Sequence, residues 1–178
     1  MFETFKQDAA RWLVPSKLGD PHQITLSVAL KLLFRHLSLR AMAWYRFGVW
    51  CRRKRIPFFY GHALRHILRT YGLELASETE CGGGLYIAHP VGTVIMAHSI
   101  GRNVSVIAAV TVGMRNEWAF PDLGDNVFIG AGARVLGQIS IGAGAVIGAN
   151  AVVINDVPAG TTVVGIPAKA IKLSSEKK

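Results

Sequence analysis

Residues 123–158 read LGDNVF, IGAGAR, VLGQIS, IGAGAV, IGANAV, VINDVP, six consecutive blocks of six. Each block opens with Ile, Val or Leu, most often followed by Gly. Each carries a second small or branched apolar residue at its fifth place. The same pattern runs backward through VIAAVT from Val106 and IGRNVS from Ile100. Before those come VIMAHS from Val94, IAHPVG from Ile87, CGGGLY from Cys81 and LASETE from Leu75, with Thr93 as one extra residue. Period six is neither helical nor a plain alternation. A short internal repeat held in one phase denotes a solenoid of stacked turns.

The first places (Ile100, Val106, Val112, Leu123, Ile129, Val135, Ile141, Ile147, Val153) must point inward. The fifth places (Val104, Val110, Val127, Ala133, Ile139, Ala145, Ala151, Val157) are small enough to sit beside a corner. Gly, Ala and Asn between them suit tight turns. A flat strand and a corner, three times over, give a triangular prism whose coil takes three blocks, or 18 residues. The step from Val112 to Leu123 exceeds one block by five residues, so Met114–Phe120 is expected to bulge out of the coil.

The chain ahead of the repeats is different in kind. Residues 1–72 hold 13 Lys and Arg against 3 acids, whereas residues 73–178 hold 7 against 8, so the overall charge of +9 resides in the N-terminal segment. Thr25-Leu26-Ser27 is a candidate cap for a helix beginning near Val28. Apolar residues then recur at spacings of three and four as far as Trp50. Pro57 interrupts the pattern, and a second helix is expected from Gly61 to Tyr71, ended by Gly72. The expected division is a helical segment over 1–73, a β-helix over 74–172 and a polar tail over 173–178. The helical segment reads as a lid on the open end of the solenoid, whose strand edges need covering. Its cations beside Trp44, Tyr45, Phe47, Trp50, Phe58, Phe59 and Tyr60 also have the character of an interfacial membrane anchor.

Composition narrows the remaining classes. Hydrophobic residues at 51% of 178 suffice for one domain with an appended segment. Cys51 and Cys81 lack metal-like spacing and read as buried thiols in a reducing cytoplasm. The opening MFETFKQDAARWL has early acids and no apolar core, so no secretory signal is visible, and no run approaches a bilayer span. The cations come with no nucleic-acid motif, so no nucleic-acid partner is expected. No Gly-rich phosphate loop, metal cluster or Ser-His-Asp order stands out.

The stretches GGGLYIAHPVGTVI, NVSVIAAVTVG, VFIGAGARVLGQISIGAGAVIGANAVVINDVP and VVGIPAKAI together resemble the left-handed parallel β-helix acyltransferases of the hexapeptide-repeat superfamily. The resemblance covers about residues 36–172. The branch it suggests is the serine acetyltransferase-like one, with relatives that acetylate bacterial polysaccharides. It implies a homotrimer that uses acetyl-CoA as co-substrate, without a metal. An alcohol attacks a thioester poorly unless a base takes its proton, and an imidazole suits that task. His89 occupies the place of the family's base. Glu74, fifteen residues earlier and thus nearly one coil away, stands where the family has the Asp that orients this His. The small residues Gly113, Gly130, Ala131, Gly148 and Ala149 match positions along which the pantetheine arm lies, although every tight corner also favours Gly or Ala. Lys169 matches the nucleotide end.

Two departures bear on the acceptor. Serine acetyltransferases have an Asp where this chain has Ala88, and an Arg-His pair where it has Ala119-Phe120. Losing groups that handle a charged amino acid, and gaining Trp118 and Phe120, leads to the expectation of a sugar or glycan hydroxyl as acceptor. The setting would be cell-surface polysaccharide synthesis on the cytoplasmic side of the membrane. Serine itself, or a non-catalytic trimeric scaffold, are the alternatives. Arg115 in the bulge reads either as a contact to an acidic acceptor or cofactor phosphate, or as a solvated charge. His98, at a fifth place, reads as an interior His, with the acceptor pocket as its other option.

Overall fold

In the computed structural model, four α-helices among the described residues precede a parallel β-solenoid of about five coils, in keeping with the expected left-handed β-helix. It describes residues 2–13, 18–76 and 79–171, so the tail assigned to 173–178 lies outside the described residues. The first sheet stacks β1 (Leu73–Leu75), β4 (Thr93–Ile95), β7 (Thr111–Gly113), β10 (Arg134–Leu136) and β13 (Val152–Val153). The second stacks β2 (Glu80–Cys81), β5 (Ser99–Ile100), β8 (Asp122–Leu123) and β11 (Ser140–Ile141). The third stacks β3 (Tyr86–His89), β6 (Ser105–Ala108), β9 (Phe128–Ile129), β12 (Val146–Ile147) and β14 (Thr162–Val164), closed by the antiparallel β15 (Lys169–Ile171).

The register restates the repeat. Val135 stands beside Val153, Leu123 beside Ile141 and Ile129 beside Ile147, each eighteen residues on. Across the bulge, Val112 pairs with Val135 and Ile100 with Leu123, each twenty-three on, so all five extra residues leave the coil there. From Ile100 onward, every first-place and fifth-place residue of the two series is buried. Each large inward side chain contributes about 2 kcal/mol by leaving water. One block is out of frame. Thr93 and Ile95 point inward and Val94 does not, so the buried fifth-place residue there is Ala97 and not His98.

The helices are α1 (Phe2–Ala10), α2 (Leu26–Arg35), α3 (Leu37–Arg53) and α4 (Phe59–Tyr71). Thr25 caps α2, its hydroxyl accepting from the Val28 N–H at 3.3 Å, and Gly72 ends α4 in the left-handed region. The expected single run from Val28 past Trp50 is broken at His36, whose backbone is extended. Arg40 makes the break tolerable by donating to the Leu33 and Phe34 carbonyls at 2.7 and 3.0 Å, which α2 would otherwise leave unpaired.

The helices close the open end of the solenoid with side chains. Asp8, fully buried, accepts from the Gly84 and Leu85 N–H groups at 2.9 and 3.0 Å and from Arg46 at 2.8 and 3.0 Å. Arg46 in turn donates to the Cys81 and Gly82 carbonyls. Burial opposes the Arg46 charge, but the adjoining Asp8 carboxylate outweighs it and raises the guanidinium above its ordinary value. Arg11 donates to the Gly84 and Asn103 carbonyls and to the Ser105 hydroxyl. Backbone groups that would be bare at the first coil are thereby paired. The Gly82-Gly83-Gly84 run permits this approach. A Cβ on Gly83 would overlap the Gln7 side chain, and Gly84 has φ of +80°.

Candidate active site

His89 ends β3 and stands exposed at the corner between the third and first sheets. The helical cap holds the strand that carries it. Tyr86 meets Trp12 at a tilt, with ring centroids 4.7 Å apart, and Ser38 at the start of α3 donates to the Ala88 carbonyl at 3.1 Å. Beyond the corner, Thr93 donates its hydroxyl to the His89 carbonyl at 3.2 Å. The strand is fixed while the imidazole is left open to solvent. Among the described residues no side chain is hydrogen-bonded to the ring.

The same corner recurs in each coil above. His89 pairs with Ala108, and the next coils present Gly130-Ala131 after β9 and Gly148-Ala149 after β12. Four of the small residues expected along the pantetheine arm therefore form one column with His89 at its head. Packing also explains part of it, since a Cβ on Gly130 would meet the Ala149 nitrogen at 2.6 Å. Ala109 at this corner has φ of +50°, where its relatives in position are Gly132 and Asn150. Arg134 braces it, donating to the Ala109, Gly132 and Ala133 carbonyls at 2.6, 2.9 and 3.2 Å. Ser38, Arg134 and the pair Ala108-Ala109 were missed in the sequence. Only the last was visible there, as the third and fourth places of VIAAVT.

The other expected site residues fall elsewhere. Glu74 is the outward residue of β1 on the first sheet, one coil before His89, and no ion pair or hydrogen bond joins the two side chains. Gly113 ends β7 at the corner between the first and second sheets. A Cβ built there would meet nothing within 4 Å, so packing within one chain does not require glycine. Lys169 is exposed on β15, at the far end of the third sheet from His89.

The bulge leaves from Gly113, so Arg115, Trp118 and Phe120 sit at the corner between the first and second sheets, not at the corner of His89. Trp118 is 81% exposed and meets Phe120 edge to face at 5.2 Å. Arg115, Asn116, Glu117 and Ala119 enclose a cavity of about 230 Å³ against Leu136 and Gly137 of the chain's own coil. Ala88 is half-buried and committed to Ser38 through its carbonyl. The four expected acceptor contacts are thus divided between two prism edges.

His98 is not interior. It is exposed at the foot of the bulge, its Nδ1 2.8 Å from an Asp122 carboxylate oxygen that Ser99 also contacts, and its backbone N–H donates to the Pro121 carbonyl. The Asp122 hydrogen bond and charge raise the His98 imidazole above its usual value. Part-burial pushes the Asp122 carboxyl up, but the Ser99 and His98 contacts outweigh it and hold the group low. The reversal follows from the one-residue frame shift noted above. Cys51 and Cys81 are free thiols, and burial pushes Cys81 up to about 11.

Comparison with known proteins supplies what the single chain does not. Residues 121–155 match the family model described as bacterial transferase hexapeptide (six repeats). The serine acetyltransferase of Helicobacter pylori is 37% identical over 146 residues, covering 79% of this chain and 85% of that protein. Soybean serine acetyltransferase complexed with serine superposes with a TM-score of 0.77 at 31% identity, covering 94% of this chain and 67% of that one. A serine acetyltransferase in complex with CoA superposes with a TM-score of 0.76 at 26% identity, covering 96% and 68%.

These relatives overturn the expectation of a glycan acceptor, and they do not show the expected closeness to polysaccharide acetyltransferases. The physical reason lies in the two departures that suggested it. Within one chain Phe120 is on a different prism edge from His89, and the Ala88 carbonyl is tied to the cap, so the two positions do not form one acceptor pocket on a single chain. Similarity over most of both chains outweighs two positions. The chain belongs to the serine acetyltransferase-like branch of the hexapeptide-repeat transferases and is an acyltransferase.

Proposed function

We propose that the protein transfers the acetyl group of acetyl-CoA to the hydroxyl of serine. The observation that carries this reading is one exposed imidazole heading a column of small residues, in a fold shared with serine acetyltransferases along nearly its whole length. Acetyl-CoA is a co-substrate here, and a CoA complex among the solved relatives supports it. Four coil steps of about 4.8 Å separate His89 from the last coil by roughly 19 Å, a run suited to a long, thin acyl carrier. Gly130, Ala131, Gly148 and Ala149 leave the backbone open to its amides, and Lys169 meets its phosphates.

In the reaction, His89 takes the serine hydroxyl proton as the oxygen attacks the thioester carbonyl. The C–O bond forms, a tetrahedral intermediate collapses, and the C–S bond breaks. The imidazolium then returns its proton to the departing thiolate. Glu74 is proposed as the carboxylate that fixes the ring and stabilises its charged form once substrate closes the corner. Because the bulge sits one edge away from the base, the proposed active unit is a homotrimer. The bulge of a neighbouring copy, with Arg115, Trp118 and Phe120, completes the cleft, and Gly113 lies where a neighbour's cofactor passes.

The test is His89→Ala, followed by thiol release from acetyl-CoA with serine. Turnover should fall by about 10²–10⁴-fold, while CoA binding is retained. Unchanged turnover would remove His89 as the base.

A further inference from the structure

The helical cap carries a surface that acetyl transfer does not use. On α2, Ala29 and Leu32 face inward, yet Leu26, Leu30 and Phe34 form a second apolar stripe that faces outward, with Phe34 88% exposed. Leu30, Leu33 and Phe34 of α2 form an apolar groove of about 640 Å³ with Ala43, Trp44 and Phe47 of α3. Phe47 meets Phe59 edge to face at 6.1 Å, and Phe58 beside it is 88% exposed, so the apolar surface runs from α2 to the start of α4. Exposed apolar area of this extent marks a contact surface.

The charge around it identifies the occupant. Residues 21–73 contain ten Lys and Arg and no Asp or Glu. Arg46 and Arg40 are engaged inward; Lys31 and Arg35 border the α2 stripe, and Arg52, which lies over the Tyr60 ring at 5.3 Å, Arg53, Lys54 and Arg55 adjoin Phe58 and Phe59. A second copy would bring the same cations to this face and no acid to meet them. A bilayer with anionic lipids offers an apolar boundary for the stripe and phosphates for the rim. No helix among the described residues is long and apolar enough to cross a membrane. We propose that the face formed by α2, α3 and the start of α4 seats the enzyme on an anionic lipid surface, lying on the membrane and leaving the solenoid in solution.

Flotation with vesicles tests this independently of the acceptor. Wild type should float with phosphatidylcholine vesicles containing phosphatidylglycerol, remain behind with phosphatidylcholine alone, and be released by salt. Two variants, Leu30→Ser with Phe34→Ser, and Arg52, Arg53, Lys54 and Arg55 each changed to Ala, should lower binding by at least about tenfold. Both should keep the helical circular dichroism and the acetyl transfer of wild type in free solution. Equal partitioning of wild type and variants overturns the proposal. So does a Leu30→Ser, Phe34→Ser protein that binds vesicles normally but falls to a smaller assembly by light scattering, because the face then belongs to a second copy.

Discussion

Changing Asp8 to Ala should unseat the cap. Asp8 has no exposure, and its carboxylate accepts four hydrogen bonds: two from Arg46 and two from the first coil's Gly84 and Leu85 amides. Removing it leaves the guanidinium of a residue that is only 6% exposed without its counter-charge. Breaking a buried pair from one side costs about 3–5 kcal/mol. Each stranded amide adds about 1 kcal/mol or more, part of which entering water offsets. A net loss of about 4 kcal/mol is expected, which for a chain of this size lowers Tm by about 8–16 °C. Urea and thermal unfolding followed by far-UV circular dichroism measure it, and hydrogen exchange should quicken at Gly84 and Leu85. Adding Arg46→Met should cost little more, because the second change removes the orphaned charge; the two should couple by about 1 kcal/mol or more. Arg46 also holds the Cys81 and Gly82 carbonyls, so full recovery is not expected. An Asp8→Ala protein melting within about 2 °C of wild type would refute the assignment of this pair as the peg between cap and coil.

Gly113→Val should leave Tm within about 2 °C, since a Cβ there meets nothing within 4 Å. It should raise KM for acetyl-CoA at least about tenfold, some 1.4 kcal/mol of binding; an unchanged KM removes Gly113 from the cofactor's path. The His98 ring should titrate above 6.5 by NMR because Asp122 favours its charged form. Its folded value is raised, so the contact's contribution is complete below the ordinary imidazole range and fades as pH rises through the folded value. Asp122→Asn should bring the titration back, with Glu80 and Ser99 as the remaining neighbours; a titration unmoved by that change would contradict the pairing.

Period six made the solenoid legible because each inward residue is dictated by the interior it fills. Ile129, Val135 and Ile141 could not have been polar without opening the prism. The frame slipped where that constraint was weakest, at Thr93-Val94-Ile95, where three consecutive β-branched residues fit a strand in either phase. His98 was misread for that reason. His89 stood out from its motif as a candidate, but the column above it was not separable from packing, since Gly130 is required by the Ala149 backbone whatever passes outside. The cap's attachments were invisible. Asp8 and Arg46 are 38 residues apart, and no local pattern predicts that they meet over Gly84. The acceptor was misjudged because Ala88 and Phe120 were read together, when within one chain the coil sets them on different edges and two positions weigh little against similarity over most of the chain.

Product analysis with free serine tests the central claim most directly. Wild-type protein given acetyl-CoA and serine should release CoA thiol in step with O-acetylserine, saturating in serine, while neutral sugars at the same concentration give no product. Thiol release that serine does not accelerate, with no O-acetylserine detected by mass spectrometry, would contradict the account.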